Sequence, residues 1–228
     1  MARPLRIQFE NAYYHVTCRG NARQEIFLND SDRSAFVDLL ERSGDIYQTE
    51  ILAYVLMSNH FHLLVKTPLA NLQEFMRHFN ISYTSYHNWK HDRTGHLYQG
   101  RYKSFLVDAD NYLREISRYI HLNPMRVRLR SGMTLDEKRK YLRNYRWSSY
   151  GGYILQLGKR GFLQVKEVLA YFGGDTAKGR KKYEDFVMEG LSGKMENPLE
   201  RGTGHGIVGA NEFIEKIRGQ YIRSAVEL

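Results

Sequence analysis

Hydrophobic positions along the chain switch between a two-residue and a three-to-four-residue period, and each switch marks an element. Residues 11–19 alternate as a strand. The cluster Asn29-Asp30-Ser31-Asp32 then supplies caps for a helix whose apolar stripe is Phe36, Leu39, Leu40 and Ile46. Residues 50–57 and 60–67 read as two strands joined at Ser58-Asn59, a polar pair suited to a tight hairpin turn. After Pro68 a long helix is expected over residues 72–90, with Phe75, Phe79, Ile81, Tyr83 and Tyr86 carrying its apolar character. A loop at 91–95 leads to a fourth strand at 102–107. The next helix follows Asp108-Ala109-Asp110, where an aspartate is the natural cap, and places Leu113, Ile116, Ile120 and Leu122 on a helical stripe. Pro124 ends it near Asn123 by disfavouring helical geometry at the residue before it. The order βαββαβα predicts an α+β fold, an antiparallel ferredoxin-like or RRM-like sheet with helices on one face.

Past Arg130 the pattern loosens. Residues 131–142 are polar and charged with room for a short helix, and 145–153 form an aromatic loop. Helices are expected at 163–172 and 177–189, a glycine-rich loop or linker at 190–206, and a last short helix at 210–218. The expected organisation is a main domain over 1–155 and a C-terminal helical appendage over 156–228.

Composition narrows the function classes. A net charge of +9 points to a polyanionic partner, although a basic but merely soluble protein has the same balance. Seventeen tyrosines and eleven phenylalanines add a second hint, because exposed aromatics can stack on unpaired bases, although most are expected in the core. The single cysteine, Cys18, excludes an internal disulfide and fits a reducing cytoplasm; its place in a strand makes it a small core residue. No apolar run approaches the length of a membrane span, and there is no internal repeat.

Two segments carry candidate chemistry. In Ser58-Asn59-His60-Phe61-His62-Leu63-Leu64-Val65 the histidines share one face of a strand and Phe61 takes the other. Such a pair either decorates a solvated face or offers two imidazoles to one metal ion. In Arg118-Tyr119-Ile120-His121-Leu122-Asn123-Pro124 the spacing of Tyr119 and Asn123 puts a phenol and an amide on one helix face, with Glu115 a turn earlier. Taken alone, that helix reads equally as an amphipathic element with a boundary tyrosine and an asparagine cap. His121 lies about 200 degrees around the helix from Tyr119 and is expected to pack, not to ligate.

Together the two segments resemble the single-tyrosine HUH transposases, and within them the REP-associated tyrosine transposases. The resemblance rests on Ser-Asn-His-Phe-His-Leu-Leu-Val, the long helix, Gly100-Arg101-Tyr102-Lys103-Ser104-Phe105, and Arg-Tyr-Ile-His-Leu-Asn-Pro-x-Arg ending at Arg126. The opening Tyr13-Tyr14-His15-Val16-Thr17-Cys18-Arg19-Gly20-Asn21, with Arg23 and Ile26-Phe27, is similar to that group's first strand and turn, and the likeness covers residues 5–155. It implies the HUH endonuclease fold, Tyr119 as the nucleophile that forms a 5′-phosphotyrosine link, and His60, His62 and Asn123 as ligands of a divalent ion, Mg²⁺ or Mn²⁺. Related transposases commonly place a glutamine where Asn123 stands. The shorter arm leaves Glu115 as the fallback ligand or a candidate base. No nucleotide cofactor is implied, because the phosphotyrosine bond keeps the energy of the bond it replaces. A comparable Trp-Ser-Ser-Tyr closes the core in that family, so Trp147 is expected as a packing anchor. His15, on the first strand, is placed where it can face the site and is expected to have only a structural role.

A phenol on a helix beside an open sheet does not easily reach a phosphate within a paired duplex, so the implied partner is single-stranded DNA, with a neighbouring hairpin. Arg19, Arg23, Arg77, Arg101, Lys103, Arg118 and Arg126 are the candidates for backbone contacts. The protein is expected to be a monomer at the bacterial nucleoid, in the cytoplasm and off the membrane. Two other readings share part of the pattern. One is a replication or transfer nickase, which often has a second tyrosine (Tyr112 is the candidate) and a helicase region that has no counterpart here. The other is a non-catalytic single-strand-binding module in which the histidines hold no metal.

Overall fold

A computed structural model describes residues 6–127, 130, 132–155, 161–191, 197–201 and 206–222. The strands are β1 (Ala12–Arg19), β2 (Glu50–Leu56), β3 (His60–Thr67), β4 (Lys103–Val107) and β5 (Ile207–Val208), and they lie in the order β2-β3-β1-β4-β5. The first four pair antiparallel, and β5 joins β4 in parallel, so the sheet is mixed. Two β-α-β units interleave: β1 lies between β3 and β4, and β3 lies between β1 and β2. On the far side of β2, Val55 bridges to Ser148 and Ile51 to Leu163.

Helices α1 (Asp30–Tyr47) and α2 (Leu72–Lys90) cover the face to which Phe61 points. Phe36 of α1 meets Phe61 at 4.9 Å and Phe79 of α2 at 4.8 Å between ring centroids. Ile46 and Ile81, counted on the apolar stripes above, are instead exposed. Helix α1 starts with a capping box: Asn29 accepts from the Asp32 N–H, and Asp32 accepts from the Asn29 N–H. The same carboxylate is buried and reached by Lys90 at 2.6 Å and His91 at 2.9 Å, tying the start of α1 to the end of α2. Burial works against its ionisation, but the contacts from Lys90 and His91 and the Leu28 and Asn29 N–H groups outweigh it and hold the carboxyl below its usual range. Asp32→Ala is therefore expected to cost about 3 kcal/mol in chemical unfolding, with the difference from wild type shrinking as pH falls through the carboxylate range.

Helix α3 (Ala109–Leu122) packs on the opposite face. The expected placement of helices on one face thus holds for α1 and α2, while α3 lies on the other. The C-terminal helices are α4 (Leu135–Asn144), α5 (Tyr150–Ile154), α6 (Lys166–Ala170), α7 (Ala177–Glu189) and α8 (Asn211–Ile217), of which α6 and α7 pack against α3. The aromatic segment read as a loop at 145–153 ends in α5, which runs one residue past it. Within that segment Tyr150 and Tyr153 are fully buried, whereas Trp147 stays half-buried between the guanidinium groups of Arg33 and Arg146.

Residues after 155 share the core with the sheet domain. Tyr183 of α7 is fully buried against Tyr153, His121 and Phe172. In the glycine-rich stretch, Pro198–Arg201 forms a 3-10 turn, while 192–196 and 202–205 lie outside the described residues. Among the described residues no helix is long and apolar enough to cross a membrane.

Candidate active site

Strand register gathers the site. On the α3 side of the sheet, His62 stands opposite Thr17, which stands opposite Lys103 on β4; His60 stands opposite Arg19, and His15 opposite Phe105. Directly paired residues point to the same face. Together with Tyr119 and Arg101 these side chains line a cavity of about 540 Å³, which His15 adjoins from beneath His62. The hairpin carrying His60 is short, with the Met57 N–H donating to the His60 carbonyl, and the 20–27 segment pins it: the Ser58 carbonyl accepts from Ile26 and the Asn59 carbonyl from Gly20. Gly20 is needed there, because a Cβ would fall 2.1 Å from the Gln24 carbonyl oxygen.

Each histidine of the pair has one ring nitrogen engaged. His60 Nδ1 lies 2.7 Å from Asn59 Oδ1, and Asn59 Nδ2 donates to the Arg23 carbonyl at 2.9 Å. The amide is thereby oriented, so His60 Nδ1 must carry the proton and Nε2 the lone pair. His62 Nδ1 lies 2.9 Å from His15 Nε2. Burial lowers His60 to about 4, aided by Arg19, and holds His62 well below its ordinary value, aided by His15, His60, Arg19 and Arg126. Both imidazoles are neutral at pH 7, the state that ligates metals.

Tyr119 stands edge-on to His62 at 5.6 Å and to His15 at 5.9 Å between ring centroids. Pro124 ends the helix in a 3-10 turn (Asn123–Arg126) that brings the Arg126 guanidinium over the Tyr119 ring, 4.6 Å from its centroid. Burial raises the phenol pKa; Arg126 opposes this most, followed by the Asn123 side chain, while Glu200 adds to the rise and Arg19 reduces it. Asn123 Nδ2 donates to the Tyr119 carbonyl at 2.8 Å, which leaves Oδ1 as the atom for another partner.

Of the expected donor set, the two imidazoles line the cavity. His60 Nε2 and His62 Nε2 have no hydrogen-bond partner among the described residues. No group of three His, Cys, Asp or Glu side chains is arranged for a metal among those residues, and Asn123, the expected third ligand, is not among the residues that line the cavity. Glu115, the fallback, does not line the cavity either; Arg118 and Arg114 engage its carboxylate.

The basic candidates separate. Arg19, Arg101 and Lys103 line the cavity and Arg126 covers Tyr119. Arg23 holds Asn59 through its backbone. Arg118 turns to Glu115 and the Phe186 ring, and Arg77 is exposed on α2, across the sheet. Tyr112 does not line the cavity, and His121 is buried on the far side of α3, as its angle from Tyr119 predicts. Sequence reasoning missed Asn59, read only as a turn residue, and Asn197, Leu199 and Glu200, which reach the cavity from a stretch read as linker. Nothing in that glycine-rich segment signals the contact.

Residues 8–123 match the family model for IS200-like transposases. Among solved structures, a REP-associated tyrosine transposase bound to a REP hairpin superposes with a TM-score of 0.55 at 16% identity, over 72% of this chain and 90% of that one. A protein of Deinococcus radiodurans R1 described as a transposase gives 0.38 at 20% identity, over 52% and 95%. The tRNA(His) guanylyltransferase of Saccharomyces cerevisiae gives 0.36 at 11%, over 78% and 79%. The first likeness shows a shared fold; the other two are too distant to carry an argument. No curated protein matches the chain.

Proposed function

The chain belongs to the IS200-like transposase family, and on that premise we propose that it cuts and rejoins single-stranded DNA through a covalent link to Tyr119. The observation that carries this reading is the convergence of Tyr119, His60 and His62 on one cavity rimmed by Arg19, Arg101 and Lys103. The Tyr119 oxygen attacks phosphorus, the bond from phosphorus to the 3′ oxygen breaks, and the strand is left with a free 3′-hydroxyl and a 5′-phosphotyrosine. The reverse attack by a 3′-hydroxyl rejoins DNA and releases the phenol, so bond count is conserved and no nucleotide is consumed.

Each side chain has a part in that scheme. Arg126 stabilises negative charge developing on the phenol oxygen, which burial alone would oppose. Arg19, Arg101 and Lys103 draw the phosphate backbone into the cavity without reading its sequence. His60, His62 and the Asn123 carboxamide would hold a divalent cation, Mg²⁺ or Mn²⁺, which when bound supplies Lewis acidity at the scissile phosphate. A buried phenol, 9% exposed and set in a sheet-floored cavity, favours an unpaired strand over a duplex. The fold shared with a protein bound to a REP hairpin supports a hairpin beside the cleavage point.

The test is incubation with end-labelled single-stranded hairpin DNA and Mn²⁺ or Mg²⁺, followed by denaturing electrophoresis. A covalent protein–DNA adduct is expected, lost with EDTA and reduced at least tenfold in His60→Ala. Tight binding with no adduct under either metal, across hairpins and pooled sequences, would replace this reading with that of a non-catalytic single-strand-binding module.

A further inference from the structure

We infer that His15 is a positioning residue for His62: it accepts the His62 Nδ1 proton and so turns the lone pair of His62 Nε2 into the cavity. The inference rests on the metal in the proposed function and extends it to a residue outside the ligand set.

A hydrogen bond between two ring nitrogens holds one proton, and the 2.9 Å contact between His15 Nε2 and His62 Nδ1 therefore has two arrangements. In the first, His62 donates; its Nε2 keeps a lone pair, and His15 carries its own proton on Nδ1. In the second, His15 donates, and the proton of His62 sits on Nε2, where it blocks ligation. Conversion moves one proton on each ring from Nε2 to Nδ1 or back, and the total is unchanged. The surroundings do not choose between them, because His15 is fully buried and its Nδ1 has no partner whichever form it takes. His60 differs, since Asn59 fixes its tautomer permanently. The two ligands are thus prepared unequally: one is locked, and the other is set by a cation at Nε2 through a buried neighbour that can accept. Partners of this kind orient metal-bound imidazoles and raise their basicity.

Ring packing alone does not call for histidine at this position. The His15 ring sits 5.0 Å from that of His62 and 6.1 Å from Phe105, contacts that phenylalanine could supply. Phenylalanine cannot accept the proton.

The experiment is Mn²⁺ titration calorimetry on the DNA-free protein, comparing wild type, His15→Phe and His15→Gln, with circular dichroism melts to establish that each is folded. Affinity is expected to fall about 10- to 100-fold in His15→Phe and to recover in His15→Gln, whose carbonyl oxygen can accept in place of Nε2. Folded His15→Phe binding as tightly as wild type overturns the inference and leaves the proposed function standing. Wild type that binds no Mn²⁺ and forms no adduct overturns both. A readout independent of the variants is the histidine ¹H–¹⁵N spectrum of wild type with Zn²⁺ as a diamagnetic probe. His62 and His15 are each expected to carry the proton on Nδ1; a proton on His15 Nε2 in the loaded protein would overturn the inference.

Discussion

Tyr119→Phe is expected to abolish the covalent adduct, with cleavage reduced by about a thousandfold or more, while Mn²⁺ and DNA affinity stay within a few-fold of wild type. The substitution removes one oxygen and keeps the ring that stands edge-on to His62 and His15 and carries Arg126 above it, so the cavity retains its shape. Tyr112, the other tyrosine considered as a nucleophile, does not line the cavity. Gel-based detection of the adduct and filter binding in parallel separate loss of chemistry from loss of substrate. Residual adduct at wild-type levels would mean another nucleophile and would overturn the assignment of Tyr119.

His121→Ala is expected to cost about 3–5 kcal/mol of unfolding free energy, read by urea denaturation. His121 is fully buried on the side of α3 away from the cavity. Its Nδ1 meets the Tyr183 hydroxyl at 2.6 Å and its Nε2 the Ser149 hydroxyl at 2.8 Å, and Tyr183 reaches on to Ser117 at 3.1 Å. The Ser149 hydroxyl in turn lies 2.9 Å from the Tyr54 N–H, so one imidazole joins α3, α7, the start of α5 and strand β2. Alanine leaves a cavity among Tyr150, Tyr153 and Tyr183 and strips partners from buried hydroxyls.

The pH dependence has a definite sign. Burial holds His121 at about 3, whereas the unfolded chain takes up the proton near the ordinary 6.5. This contribution is complete above about 6.5 and is lost by about 1.4 kcal/mol per unit as pH falls towards 3. The gap between wild type and His121→Ala should therefore narrow by about 2–3 kcal/mol between pH 6.5 and 4.5. A gap independent of pH would mean that the imidazole is not held neutral.

Much of this architecture was legible because it depends on local periodicity. Asn29 and Asp32 announce the start of α1, and the alternation through His60, Phe61 and His62 sends Phe61 to the α1–α2 layer and the histidines to the other face. The four-residue step from Tyr119 to Asn123 survives as a real contact, although it runs from the Asn123 amide to the Tyr119 backbone. What escaped depends on register or on distant chain. His15 meets His62 only because β1 pairs with β3 in one particular register, and Asn59 orients His60 only because the Arg23 carbonyl lies within reach. Strand β5 is two residues long, too short for any period to show. Ile46 was misplaced because an apolar residue in the last turn of a helix can fall beyond the layer that the helix covers.

The two-residue strand β5 has a bearing on how copies of this protein can meet. Together with the Gly206 carbonyl, which accepts from Leu106, and the Val208 carbonyl, which accepts from Asp108, it occupies the outer backbone groups at the end of β4. On the opposite border of the sheet, Leu56 donates to Trp147, the Tyr54 carbonyl accepts from Ser149, and the Ile51 carbonyl accepts from Gln164. Both borders are thus blunted by segments that arrive late in the chain, and among the described residues neither presents a long row of free amides on which to continue the sheet. Continuing the sheet from one copy into another would therefore require displacing these late-chain segments from the borders they occupy.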